Sequence, residues 1–102
     1  HLNDGYGKRD DGLMVASVHP IQTVELLVEL IRSGYDRAIY FDTFPDHSGL
    51  DPVEETKTNI AAMERLWPIA RGLAENAELQ AAIAQQDAPI SQRIVQAALL
   101  AR

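Results

Sequence analysis

The chain has 102 residues, an apolar fraction of 46% and a formal net charge of −6, enough for one small domain with a hydrophobic core and unlike a disordered chain. Nine Lys and Arg stand scattered among fifteen Asp and Glu, so there is no basic footprint, and neither nucleic acid nor an anionic membrane is an expected partner. No cysteine is present for a disulfide or a thiolate ligand, and no apolar run nears the roughly 20 residues that cross a bilayer; the cytoplasm is the default compartment.

Residues 1–12, HLNDGYGKRDDG, read as a loop, because glycines and acidic groups leave no apolar period. LMVASV over 13–18 is an extended piece or a buried turn, broken by His19-Pro20. PIQTVELLVELIRSG then predicts a helix. Ile21, Val24, Leu27, Val28 and Ile31 recur at helical spacing, and Gly34 marks the stop. Ala38 to Phe41 is a short continuous apolar run bounded by turn residues, which reads as a strand buried on both faces. After the loop around Phe44, Pro45, Ser48 and Gly49, Asp51-Pro52 starts a second helix as N-cap and first-turn proline. Its expected core face is Val53, Thr56, Ile60, Met63 and Trp67, with a kink or an end at Pro68. Two shorter helices follow, from about Ala77 to Gln86 and from Pro89 onward with Asp87 as cap.

A lone strand has no ladder to join. One reading is a small α-rich domain with one odd strand; the reading preferred from the sequence is a fragment of a larger α/β protein, beginning just past a strand. Adjacent parallel strands lie about 4.8 Å apart, so that arrangement would bring His1 and Asp42, 41 positions apart, to one sheet edge. There an imidazole and a carboxylate could share a cation, with the Asp10-Asp11 loop over the same face.

HLNDGYGKRDDGLMVASV followed by SGYDRAIYFDTFP resembles the last two strand ends of the xylose isomerase-like TIM barrels, in the branch of L-rhamnose isomerase and related sugar isomerases. The resemblance implies an α/β fold, the C-terminal part of a (β/α)8 barrel. Residues 1–75 would run from the end of strand seven through helix eight, and 76–102 would form a helical C-terminal extension through which subunits form a homo-oligomer. It implies that His1 and Asp42 ligate a first divalent metal (Mn²⁺, Mg²⁺ or Co²⁺), and that Asp10 holds a second, catalytic one. The second loop aspartate of the family falls on Gly12, and Asp11 replaces it only with a one-residue shift. The implied activity is aldose–ketose interconversion of a small sugar, the metals acting as Lewis acids and template; the isolated chain, carrying at most half of each site, is expected to be inactive. A sugar epimerase using a single metal, and a non-enzymatic helical interaction module, are the alternatives.

Other polar residues have plainer readings. Asp4 reads as a turn former beside Gly5, Asn3 as a possible hydrogen-bond partner of a ligand or the sugar, and His19 and His47 as structural or solvated groups.

Overall fold

Pro20 and Pro52 open α1 (Pro20–Arg32) and α2 (Pro52–Ala74), and α3 (Ala77–Ala84) and α4 (Ala88–Leu100) follow in a computed structural model that describes residues 1–44 and 51–100. A proline's fixed φ and missing N–H suit a first helical turn, where the N–H has no intrahelical partner. Asp51 caps α2 by accepting from the Val53 amide at 2.9 Å, and Asn76 caps α3 by accepting from the Leu79 amide at 2.9 Å. The end of α1 is closed by Gly34 at φ +76, with the Gly34 amide bonding to the Ile31 carbonyl and the Tyr35 amide to the Leu30 carbonyl, both at 3.1 Å. This is the Schellman arrangement, which needs a left-handed residue and therefore favours glycine.

One core joins all four helices. Val24, Leu27 and Val28 of α1 pack with Leu66, Ala70 and Leu73 of α2, Leu79 of α3 and Val95 of α4. Leu27 and Val24 are fully buried, and burial of each such side chain is worth about 1.5–3 kcal/mol. The segments 1–75 and 76–102 therefore share one hydrophobic cluster.

This overturns the TIM-barrel expectation. Among the described residues there is no strand and no sheet; the fold is a small all-helical domain, not the C-terminal fragment of a (β/α)8 barrel. Ala38 to Phe41 does not form the expected strand. Its contacts to the N-terminal loop reduce to one isolated parallel bridge, Leu2 with Phe41, made by the Leu2 amide to the Tyr40 carbonyl at 2.6 Å and the Asp42 amide to the Leu2 carbonyl at 3.0 Å. A single bridge builds no sheet to bury both faces of the run: Ile39 packs partly buried against the helical core, whereas Tyr40 is 62% exposed.

The core face of α2 also differs from the sequence reading. Val53 and Ile60 are exposed, whereas Glu55, Asn59, Leu66, Ala70 and Leu73 are buried. The helix runs on through Pro68 to Ala74. Pro68 and Glu64 are both exposed, so the carbonyl that loses its partner can turn to water. Of the expected kink or end, the end does not occur, and Pro68 is a tolerated interruption. The loop expected at Pro45, His47, Ser48 and Gly49 lies outside the described residues.

Candidate functional site

The Leu2–Phe41 bridge places the residues on either side of it next to each other. The His1 Nδ1 lies 3.8 Å from the Asp42 Oδ2, and both side chains are open to solvent. The His1 ring also meets Tyr40 edge to face, with centroids 6.0 Å apart. Asn3 ties the neighbouring loop to this pair. Its amide nitrogen donates to the Asp42 backbone carbonyl at 2.8 Å and to the Asp10 Oδ1 at 3.4 Å. His1, Asn3, Asp10 and Asp42 therefore gather at one end of the domain.

Two donors of one hard cation, each about 2.1 Å from it, lie about 3 Å apart when adjacent and about 4.2 Å apart when opposite. The 3.8 Å separation between His1 and Asp42 is longer than the first distance and shorter than the second, so sharing a cation requires a shift of several tenths of an ångström. The carboxylate suits Mg²⁺ or Mn²⁺, whereas an imidazole suits later transition metals. The pair is not a complete centre: among the described residues no group of three or more His, Cys, Asp or Glu side chains is placed to hold a metal ion.

Asp11 borders the same open hollow as Asn3 and Asp10, and its carboxylate is tied to its own loop. Its Oδ2 accepts from the Tyr6 amide at 3.0 Å and its Oδ1 from the Arg9 Nε at 3.1 Å. The Tyr6 amide and the Arg9 hydrogen bond together hold its carboxyl below the usual aspartate range. Each oxygen thus already accepts one hydrogen bond from within the loop. Gly12 has φ +61, and a Cβ built on it would overlap the ring of Phe44. No side chain fits at this position without displacing Phe44.

Sequence reasoning missed a polar assembly beneath this loop. Asp4 is 8% exposed. Besides accepting from the Gly5 amide at 2.8 Å, as a turn former does, its carboxylate accepts from the Val18 amide at 2.9 Å and the His19 amide at 2.7 Å, and pairs with the His19 Nδ1 at 2.6 Å. Burial alone would raise its pKa, but the His19 ring and the three amides outweigh it and bring it down to about 2. Asp4 thereby supplies acceptors to backbone amides at the start of α1, where His19 makes no side-chain cap of its own. The His19 ring borders an open polar hollow shared with Asn3, Asp10 and Gln22. Asn59 is a second missed residue: 1% exposed, it accepts from the Val15 amide at 2.8 Å and so ties α2 to the loop. Neither role has a local signal, since the partners lie 15 and 44 positions away.

No family model, curated protein or solved structure matches the chain. No helix among the described residues is long and apolar enough to cross a membrane.

Proposed function

We propose that the chain contributes to a divalent-metal-dependent sugar isomerase activity, an aldose–ketose interconversion, with His1 and Asp42 as donors to the cation and Asp10 held beside them through Asn3. The observation that carries this reading is the approach of His1 and Asp42 to 3.8 Å across 41 positions of sequence. When bound, a hard divalent cation at such a pair supplies Lewis-acid polarisation of a sugar carbonyl. The chain's own residues supply two donors, an amide that fixes the Asp42 backbone, and a solvent-facing carboxylate at Asp10. The further donors that a six-coordinate cation requires come from outside this pair.

One observation favours a single-metal reaction, such as sugar epimerisation by proton transfer, over the two-metal hydride shift. Asp11 already accepts from Tyr6 and Arg9, and Gly12 offers no carboxylate, so Asp10 is the loop carboxylate with fewer competing partners. Incorporation of solvent deuterium into product distinguishes the two, because only proton transfer exchanges with water.

The test is Mn²⁺ titration of the whole chain followed by electron paramagnetic resonance. Saturable binding that weakens about tenfold or more in both His1→Ala and Asp42→Asn is expected from removing one donor of the pair. A folded chain indifferent to Mn²⁺, or binding that neither substitution alters, overturns the metal reading and leaves the helical interaction module.

A further inference from the structure

Glu55, in the first turns of α2, is 7% exposed, and its Oε2 is enclosed without a hydrogen-bond partner. A carboxylate in this position is unusual, because buried charges are normally paired or fully hydrogen-bonded. The positive end of the α2 dipole favours a negative charge here, but it provides no donor to that oxygen.

Glu55 borders a cavity of about 380 Å³ between the loop and α2, whose wall includes Leu13, Met14, Phe44, Arg9 and Asp11. None of His1, Asn3 and Asp42 lines it, so it is a different place from the metal pair. Arg9 and Asp11 neutralise each other through their 3.1 Å contact. Among the described residues, the charge left over in the wall is that of Glu55, and most of the remaining surface is apolar.

We infer that this cavity is a binding site for a small organic ammonium ion, its cationic head on the Glu55 carboxylate and a short apolar body against Leu13, Met14 and Phe44. The chemistry narrows the class in three ways. A divalent metal would need several carboxylates converging on it, and in this wall Asp11 is already paired with Arg9. An anion would be repelled by Glu55, and the one described cation of the wall, Arg9, is already paired with Asp11 through its Nε. A neutral polyol would bring many hydroxyls to a wall whose other charged side chains are already engaged with each other. A monovalent cation with an alkyl body answers both the lone charge and the apolar wall, and an aromatic ring at Phe44 adds an attractive face for it.

The experiment is a titration of the isotope-labelled whole chain with n-butylammonium chloride, read from backbone amide shifts, with n-butanol and sodium chloride as matched controls. Saturable shifts at Gly12, Leu13, Met14 and Phe44 are expected with the amine and with neither control. Glu55→Gln should weaken binding about tenfold or more, as for the loss of a charge-assisted hydrogen bond, while amide dispersion shows that the fold is kept. Arg9→Gln, on an exposed side chain, frees the Asp11 carboxylate and should tighten binding several-fold; it keeps the inference testable if Glu55→Gln fails to fold. Equal binding of n-butanol, saturation by a neutral hexose instead of the amine, no saturable shift, or an affinity unchanged by Arg9→Gln would each overturn the inference. The metal reading stands or falls separately, since it is read from Mn²⁺ and from substitutions at His1 and Asp42.

Discussion

Asp4 and His19 stand 15 positions apart and meet at 2.6 Å between Oδ1 and Nδ1, the shortest of four contacts that the buried Asp4 carboxylate makes. The same carboxylate that orients the imidazole also satisfies the amides entering α1. One side chain therefore holds the loop, the ring and the helix start in register.

Stability should depend on acid through this group. The Asp4 pKa falls from 3.8 to about 2 on folding, so the unfolded chain takes up the proton first as pH drops. The contribution is then fully present above pH about 4 and is lost as pH falls through about 2, with a size of about 2 kcal/mol. Urea unfolding of the native chain and of Asp4→Asn across this window gives the measurement. The native chain should lose its advantage over the variant between those two values, and a difference that stays constant down to pH 2 would refute the assignment. At pH 7 the substitution itself should destabilise by about 1–3 kcal/mol, because amides at the start of α1 lose a charged acceptor.

Asn59 carries the second prediction, by contrast with its neighbour Ile60. Asn59→Leu adds apolar volume to a buried site but leaves the Val15 amide without its 2.8 Å acceptor. A loss of about 1–3 kcal/mol is expected, or roughly 4–8 °C in Tm for each kcal/mol in a domain near this size. Ile60 is 44% exposed, so Ile60→Ala should change stability by less than about 0.5 kcal/mol. The two thermal melts, side by side, decide which face of α2 meets the core; the reverse ranking would restore the face expected from hydrophobic spacing.

That contrast also marks what the sequence could reveal. Helix starts at Pro20 and Pro52, the Gly34 stop and the Asp51 cap are set by local chemistry, and they are legible because the signal and its cause lie within a few residues. The inward face of α2 is not. Glu55 and Asn59 look like solvent-facing positions, and their burial depends on a loop that folds over them from more than 40 positions away. The strand expected at Ala38 to Phe41 has suitable residues, but a ladder needs a partner, and among the described residues only Leu2 provides one. Apolar content by itself could not separate a strand from an extended segment with a single bridge. His1 and Asp42 are expected together from two adjacent parallel strands; the structure has no such sheet and brings them to 3.8 Å through a single Leu2–Phe41 bridge.

Gly12 supplies the last prediction, since it lies where the resemblance calls for a second loop aspartate. Its φ of +61 is costly for a residue with a side chain, and an added Cβ would overlap the Phe44 ring. The two penalties can be separated. Gly12→Ala should destabilise by about 2 kcal/mol or more in the native background, combining the left-handed backbone, about 1–2 kcal/mol, with the displaced ring. In a Phe44→Ala background the ring penalty vanishes and only the backbone term should remain, so a double-mutant cycle on Tm or urea midpoint should return a coupling of about 1 kcal/mol. Gly12→Asp should be destabilised in the same way and should gain no second Mn²⁺ per chain, because the position opens onto Phe44 and not onto Asp10. Independent penalties in the cycle, or a second equivalent of bound Mn²⁺, would show that this loop can open to accept the missing carboxylate.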